Sequence, residues 1–549
     1  MGNVFAKQSG WRPPQWSRLF LISASAGLIW LSLPSAPLLA LPFVALVPFA
    51  FALRGCSPWS GLIWGWGGGT LIWSVSIWWV FNGSVNMIGM SAPGALASTA
   101  VLCLYQGLPY ALLGLACGWM ERRGHRPGPL YCAALLGLLV ALRPVICPGT
   151  PAVVNLHRFP VAIQTADLGG MYFVGFLVFL SNWLVADILA SLRTPRKAVA
   201  NAALLIVLLG AMFGYGTFRL EQIKHLAGNA QANEFLTITS IQPNIPLKGR
   251  EGLDDSGPFL GNTETMVRET ERAADRFGPA DLVLWPELPG DESGDCESLL
   301  YSGVNHAAQE SGGPILAAFV EHEYGDNKLV LNVSKAPGET ERCISTQRLK
   351  AKYNALWLIG EDNCGPVYRK VKLVPFSERD PLRKVKTLVG LPTEESLDYS
   401  PGAGPVAINL ENGKQVQPLI CFESGFPLFT RDGVKLGADA FVSVSDDAWF
   451  ASETAAHQHL SVDIFRSVEL RRPLVRCSNN GAGAHVRASG EIVPETLTPM
   501  DVRTFRQARL FCPQAKTFYA HMGDAWLWLL AVAAACPLLS ALLAPRSTD

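Results

Sequence analysis

Apolar residues dominate the chain from Phe20 to Phe218, in long runs with few charges, and again from Ala525 to Leu543. A helix needs about 20 predominantly apolar residues to cross a hydrocarbon core about 30 Å thick. The pattern therefore predicts eight membrane-spanning helices, near residues 19–34, 36–53, 60–81, 94–120, 129–148, 171–191, 199–218 and 523–544. The first two are short and share a proline-rich hinge, so one bent hairpin is an alternative to two spans.

Basic residues in the connecting segments predict the orientation of these helices, because Lys and Arg stay on the cytoplasmic side of a membrane. They lie before the first span and after the second, fourth, sixth and eighth, whereas residues 82–93 carry no charge. We therefore expect a cytoplasmic N-terminus. Seven spans then give an N-terminal membrane domain (1–218), a periplasmic domain (219–522), and a last span with a short cytoplasmic tail (523–549).

The water-facing region alternates short β-rich runs with segments of helical periodicity, which is typical of a layered α/β fold. The pattern predicts strands near 235–242, 281–285, 314–320, 417–420 and 440–445, and helices near 263–277 and 299–309. Residues 324–366 are polar and rich in glycine, and we expect them to loop out of this domain.

The composition agrees with a membrane protein that carries a soluble domain. Of 549 residues, 49% are hydrophobic and only 16% are charged, whereas soluble domains carry about 25% charged residues. This excludes a disordered chain, a coiled coil and a purely cytosolic enzyme. The formal net charge is zero, so the basic excess of a nucleic-acid-binding protein is absent.

The cysteines and histidines do not predict a metal site. Twelve cysteines are scattered without a CxxC pair, which excludes zinc-ribbon and thioredoxin-like sites. Cys343 and Cys364 flank the polar insertion and are the favoured disulfide pair in an oxidising compartment. His457 and His459 have no acidic or cysteine partner at ligand spacing, so a structural role is favoured for both. We expect no metal and no other cofactor.

Three segments carry residues suited to acyl transfer. Glu287 follows Trp285-Pro286 at the end of a predicted strand, Lys370 lies in the segment Tyr368–Glu378, and Cys421 ends a further strand. A thiol nucleophile needs a base, and its tetrahedral adduct needs a donor for the oxyanion. Taken singly, the cysteine is consistent with core packing, the glutamate with a solvated loop and the lysine with a solvated cationic face.

In this order the three segments resemble the nitrilase superfamily, whose sites use Glu, Lys and Cys. The membrane spans narrow the resemblance to the apolipoprotein N-acyltransferase family. Further matches are Tyr353-Asn354, Asp447-Ala448-Trp449-Phe450, Gln458-His459, Arg472-Pro473 and, in the membrane part, Gln164–Gly170. The chain departs from the family where Ser377, Ala451 and Arg471 replace glycine and where Asp446 replaces asparagine.

The resemblance implies an α-β-β-α sandwich domain beside a polytopic helical membrane domain. It implies acyl transfer from a phospholipid, through a thioester, to the N-terminal amine of a diacylglyceryl-cysteine lipoprotein. Glu287 would be the base, Cys421 the nucleophile, and Lys370 with the backbone N–H of Phe422 the oxyanion donors. Glu378 and Glu423 would support the site, and Trp449 and Tyr353 would contact substrate.

The same resemblance implies a bacterial inner-membrane protein that faces the periplasm and works as a monomer, with the lipid bilayer as a partner. Three alternatives stay open: a membrane-anchored amidase, an acyltransferase for a different amine, and a catalytically silent scaffold. Lys372 competes with Lys370 for the oxyanion role, and only the family spacing selects Lys370. Residues 381–392 interleave cations with apolar residues, which favours an interfacial lid over a solvated loop.

Overall fold

The computed structural model describes residues 13–33, 38–144, 146, 148–246, 258–287, 299–331, 344–360, 364–381, 383 and 399–543. Cys343 lies outside this part, and so do most residues of the predicted lid. The disulfide and the lid therefore stay predictions.

Within the described residues, ten α-helices precede the first strand. They are α1 (Gln15–Trp30), α2 (Val47–Ala52), α3 (Pro58–Ser76), α4 (Val80–Asn86), α5 (Ala92–Arg122), α6 (Pro129–Leu142), α7 (Pro151–Val154), α8 (Pro160–Ile163), α9 (Ala166–Ala190) and α10 (Pro195–Gly228). In the described part of the chain, four helical segments are long and apolar enough to cross a membrane: Ala92–Arg122, Ala166–Ala190, Pro195–Gly228 and Phe518–Leu543. These segments fit a membrane domain, whereas the count of eight crossings stays a prediction.

Two predicted spans differ from the helices observed. The second contains a 3-10 turn, Leu41–Phe43, followed by the short α2. The third ends early: α3 stops at Ser76 because Ile77 leaves the helical conformation, and α4 begins only at Val80, where the predicted span was to end. Residues after this break contact the C-terminal part of the chain. The side-chain amides of Asn82 and Asn86 donate to the carbonyls of Phe450 and Trp449 at 3.1 and 3.0 Å.

Helices α3 and α5 pack with their backbones almost in contact. A Cβ atom added at Gly61 would lie 2.1 Å from the carbonyl oxygen of Gly114, and one added at Gly114 would meet Gly61 as closely. Small residues permit this approach between helices in a membrane. Gly61 of α3 is therefore required by packing.

The water-facing domain contains two sheets. The first has the order β11-β1-β2-β3-β4-β5 and the second β10-β9-β8-β7-β6. The strands are β1 (Phe235–Gln242), β2 (Leu282–Leu284), β3 (Ile315–Leu331), β4 (Ile344–Ile359), β5 (Cys364–Arg369), β6 (Ile408–Asn409), β7 (Gln415–Ile420), β8 (Ala440–Ser445), β9 (Leu474–Ser478), β10 (Ala484–Val486) and β11 (Thr504–Phe511). The helices here are α11 (Pro258–Phe277), α12 (Leu299–Ser311), α13 (Pro427–Lys435) and α14 (Glu453–Leu470), and α15 (Phe518–Met522) and α16 (Leu527–Leu543) close the chain.

Alternation along the strands builds the layers of this domain. Leu282 and Leu284 join the core between the sheets, whereas Val283 and Trp285 face a second core with residues of α11 and α12. Successive residues of a strand point to opposite faces, so each sheet has one face toward its partner and one toward helices. This arrangement confirms the predicted α-β-β-α sandwich.

The expectation that residues 324–366 loop out is wrong for the part that the structure describes. Strands β3 and β4 extend into this segment and pair antiparallel from Ile315–Ile359 out to Leu331–Ile344. The pairing has register shifts near Tyr324, and such irregular positions accommodate glycine and polar residues within a strand. Hydrogen bonding between the two strands therefore decides the structure of this segment, although its composition is typical of a loop.

Candidate active site

Strand ends bring the predicted acid–base and nucleophilic residues together. Glu287 follows β2, Cys421 follows β7 and Asp447 follows β8. Strands β1, β2 and β3 run parallel, as do β7, β8 and β9. Ligand sites in α/β sheets form beyond the carboxyl ends of such strands. The topology therefore predicts a site where these residues meet.

Cys421 occupies a sharp turn between β7 and the 3-10 segment Cys421–Gly425. Its backbone is left-handed, with φ +52°, a conformation that costs a non-glycine residue about 1–2 kcal/mol. Strain of this kind clusters at functional sites. Burial raises the pKa of the Cys421 thiol well above its ordinary value, the charge of Glu287 raises it further, and Lys370 opposes both. The resting thiol is therefore protonated.

Lys370 connects two carboxylates. Its Nζ lies 3.2 Å from Oε1 of Glu287 and 2.8 Å from Oε1 of Glu378, and its side chain is only 1% exposed. Burial alone would lower the pKa of Lys370, but Glu287 and Glu378 outweigh it and hold that pKa well above its ordinary value. The Asn354 amide donates to the same two oxygens at 2.7 and 3.1 Å. A charged lysine is thus fixed beside Glu287.

Glu423 joins the turn that contains Cys421 to the segment that contains Lys370. One carboxylate oxygen accepts from the Tyr368 hydroxyl at 2.6 Å and from the Val371 N–H at 2.7 Å. The other accepts from the Ile420 N–H at 2.8 Å, next to Cys421. Burial raises the pKa of Glu423, and these donors oppose the rise. Glu423, which is fully buried, therefore holds the Lys370 segment and the Cys421 turn at a fixed spacing.

The two competing lysines point to different surroundings. In a strand, residues two positions apart such as Lys370 and Lys372 would point to the same side. Lys370 lies beyond the end of β5, so this rule does not apply here. Nζ of Lys372 lies 5.4 and 5.8 Å from the ring centroids of Phe426 and Phe429. The structure thus brings Lys370, and not Lys372, into contact with Glu287.

An apolar cavity of about 660 Å³ reaches Cys421 from the membrane domain. Its lining combines residues of α3, α4 and α5 with residues of the catalytic domain, among them Trp79, Leu102, Pro375, Phe376, Phe422 and Phe450. The Phe450 ring packs edge-on against Trp79, with centroids 4.8 Å apart. Cys421 therefore lies at an apolar chamber that helices of membrane composition also line.

The two residues predicted to contact substrate lie elsewhere. Trp449 and Tyr353 are not among the residues that line this cavity. The Tyr353 hydroxyl donates to Glu323 at 3.0 Å, and its ring lies 4.0 Å from the Arg369 guanidinium. The adjacent Phe450 occupies the wall instead. No sequence signal separates these two aromatic neighbours, because the contacts at this turn include hydrogen bonds from Asn82 and Asn86, which lie far away in the sequence.

Sequence reasoning also missed the contacts of Asn354 and His459. Both lie in matched motifs, but only the fold shows that Asn354 binds the two carboxylates and that His459 reaches the Cys421 carbonyl at 3.0 Å. His457 instead faces His157, with ring centroids 6.4 Å apart. Within the described residues, no group of three or more His, Cys, Asp or Glu could hold a metal ion.

Known proteins share both parts of this architecture. The carbon-nitrogen hydrolase family model matches residues 237–518, and the apolipoprotein N-acyltransferase N-terminal domain model matches residues 25–184. The apolipoprotein N-acyltransferase of Geobacter metallireducens is 27% identical over 94% of this chain and 94% of its own length. That of Pseudomonas putida is 26% identical over 97% and 98%. Nit3 of Saccharomyces cerevisiae, a nitrilase-superfamily structure, aligns with 52% of this chain and 93% of its own at 15% identity and a TM-score of 0.36.

The first family model covers more than half of the chain, including Glu287, Lys370 and Cys421. The second covers most of the apolar N-terminal region. The chain therefore belongs to the carbon-nitrogen hydrolase family, in a form that also carries the apolipoprotein N-acyltransferase N-terminal domain.

Proposed function

We propose that this protein moves an acyl chain from a phospholipid, through a thioester on Cys421, to the N-terminal amine of a diacylglyceryl-cysteine lipoprotein. The observation that carries the proposal is the apolar cavity of about 660 Å³ that joins Cys421 to the membrane helices. A water-soluble amide would not need such a chamber, whereas an acyl chain entering from a bilayer would. The named relatives, similar over nearly their whole length, support the same reaction.

In the first half-reaction, Glu287 removes the Cys421 proton as the sulfur attacks the phospholipid ester carbonyl. The new C–S bond leaves a tetrahedral oxyanion, which Lys370 and the Phe422 N–H stabilise. The adduct then expels the lysophospholipid alkoxide, which takes the proton from Glu287. A base is needed because the thiol is protonated at rest, with its pKa raised first by burial and then by Glu287.

In the second half-reaction, the lipoprotein amine attacks the thioester while Glu287 accepts the amine proton. The same donors hold the second oxyanion. Its collapse breaks the C–S bond and forms the amide, and Glu287 returns its proton to Cys421. Water must be kept out between the two steps, since hydrolysis would discharge the thioester. The largely apolar lining of the cavity supports this exclusion.

The substrates place constraints on location. We infer an inner-membrane protein of a bacterial cell, with residues 219–522 in the periplasm and terminal segments 1–218 and 523–549 providing the membrane helices. Asp187, for example, lies with Arg54, Arg126 and Lys197 at one end of these helices, and that cationic end fits the cytoplasmic side. Cys421 lies in the domain assigned to the opposite side.

Acyl-enzyme trapping tests the first half-reaction. Incubation of the full chain with phospholipid carrying a labelled acyl group should attach the label to Cys421, and hydroxylamine should release it. Cys477→Ser is the matched control, since Cys477 is another buried cysteine of the same sandwich and should leave labelling intact. Label on wild type but not on Cys421→Ser supports the proposal, and an unlabelled wild type contradicts it. Free fatty acid released steadily without an amine would instead identify a hydrolase that passes the acyl group to water.

A further inference from the structure

One peptide group connects the nucleophile to its oxyanion donor. The carbonyl of Cys421 and the N–H of Phe422 belong to the same planar unit and point in opposite directions. The His459 Nε2 atom lies 3.0 Å from this carbonyl oxygen. A hydrogen bond here restrains the peptide plane and therefore the direction of the Phe422 N–H.

Buried charges hold the His459 ring from behind. Its Nδ1 lies 3.0 Å from Oδ1 of Asp447 and 3.0 Å from Nη2 of Arg476. Arg476 also donates to Asp447 at 2.5 Å and to Asp463 at 2.7 Å, and these three side chains are 0% exposed. Asp463 lies four residues after His459 on α14. The ring thus rests against a rigid ionic support drawn from β8, β9 and α14.

This support keeps a proton on Nε2. The Cys421 carbonyl oxygen can only accept, so its contact with Nε2 requires a hydrogen on Nε2. A neutral His459 then accepts at Nδ1 from Arg476, which can only donate. A charged ring donates from Nδ1 to Asp447 and again keeps the Nε2 hydrogen. In both forms His459 donates to the Cys421 carbonyl, and the bonded partner of one ring nitrogen sets the state of the other.

We propose that His459 is a positioning residue that aims and polarises the Phe422 N–H toward the oxyanion. Donation to a peptide carbonyl strengthens the N–H of the same peptide as a donor, because hydrogen-bonded chains polarise one another. His459 is not a proton shuttle for Cys421, since its Nε2 is engaged by the carbonyl. The inference rests on the proposed function, in which this N–H acts on the acyl carbonyl.

The test separates oxyanion stabilisation from general damage to the site. His459→Phe keeps a ring but loses the donor, whereas His459→Gln keeps an N–H that can donate. His457→Phe is the matched control two residues away, because His457 faces His157 and not Cys421. Each full-length variant reacts with a nitrophenyl acyl ester, which gives kcat and KM, and with iodoacetamide, which alkylates Cys421 without forming an oxyanion.

Loss of one oxyanion donor lowers kcat by about 10²–10³-fold. In His459→Phe the Phe422 N–H would remain but point in the wrong direction, so kcat for acylation should fall by about 10–100-fold. KM and the alkylation rate should change less than about threefold, since neither depends on an oxyanion donor. His459→Gln should recover most of the loss, and His457→Phe should resemble wild type. Parallel losses in acylation and alkylation, a loss confined to KM, or no recovery by His459→Gln would overturn the proposal. Ester turnover does not depend on phospholipid or lipoprotein, so failure of the proposed substrates would be seen separately.

Discussion

At the residue scale, the site depends on charges that are buried in pairs. Lys370 is charged because two carboxylates face it, and Glu423 is tolerated because a hydroxyl and backbone N–H groups donate to it. Burying a charge without such partners is costly. Each of these side chains is therefore held in a defined position by its partners, and a single substitution would remove those contacts.

The two lysines give the first prediction. Lys370→Ala should lower acyl-enzyme formation by about 10²–10³-fold, the cost of losing an oxyanion donor. Lys372→Ala should cost less than about tenfold, because Lys372 lies over Phe426 and Phe429 and away from Glu287. The rate at which the labelled acyl-enzyme forms, measured for both variants on one phospholipid, compares them. A larger loss of rate for Lys372→Ala would contradict the assignment of Lys370 as the oxyanion donor.

Two left-handed positions give the second prediction. Ala451 and Arg471 have φ +43° and +50°, and both lie where the family resemblance leads us to expect glycine. Ala451→Gly should stabilise by up to about 1 kcal/mol, because it relieves the strain. Arg471→Gly should destabilise by about 3 kcal/mol, because a buried pair is broken: Arg471 contacts Asp167 and Gln164 at 2.7 Å each.

Thermal unfolding of the two variants in one detergent measures this difference. A higher Tm for both would show that backbone strain outweighs the buried contacts of Arg471.

The family spacing selected Glu287, Lys370 and Cys421 as candidate site residues, and the structure brings the first two into contact. It did not single out Phe450 or His459 as neighbours of Cys421. Spacing reports which residue types share a motif, but the aim of a side chain depends on partners far away in sequence. Asn82, more than 300 residues away, binds the Phe450 carbonyl.

At the element scale, the length of apolar runs predicted the long helices well and the interrupted ones poorly. Helices α5, α9 and α10 match predicted spans, since a long apolar run has few alternatives in a membrane. The end of α3 at Ser76 was missed because residues 77–81 are all apolar and continue the run. The β3–β4 hairpin was missed because strand pairing, not composition, orders it.

Close packing of α3 against α5 gives the third prediction. Gly61→Ala should destabilise the protein by about 1–3 kcal/mol, an overpacking cost, because the new Cβ would lie 2.1 Å from the Gly114 oxygen. Gly67→Ala is the control on the same helix, with nothing within 4 Å of its Cβ. Tm in detergent compares the two, and equal values would contradict the packing described.

At the scale of the whole molecule, the catalytic sandwich is built onto the membrane helices by buried polar contacts. Besides Arg471, the Glu469 carboxylate accepts from the Met171 N–H at 2.7 Å, and Trp79 donates to Gln458 at 3.0 Å. The cavity lies between the two parts, so neither part contains the complete site. Sequence composition distinguished an apolar region from a region of ordinary composition, but it could not show that residues of both line one chamber.

The orientation of the whole molecule is the fourth prediction. A reporter fused after Asp281 should be active in the periplasm, and one fused after Arg123 in the cytoplasm, because basic and uncharged loops alternate along the chain. Paired alkaline phosphatase and fluorescent-protein fusions measure both sides. The opposite result at both positions would overturn the topology and the proposed side of catalysis.

The most direct test of the account is mass spectrometry of a lipoprotein N-terminus after incubation with this protein and phospholipid. Wild type should add one acyl chain to the N-terminal amine. Cys421→Ser should add none while remaining folded, since a serine hydroxyl is far less ionisable than the thiol. Transfer by Cys421→Ser at a near wild-type rate would contradict a thioester on Cys421. An unmodified lipoprotein N-terminus, found with wild-type protein that still forms the acyl-enzyme, would contradict N-acylation.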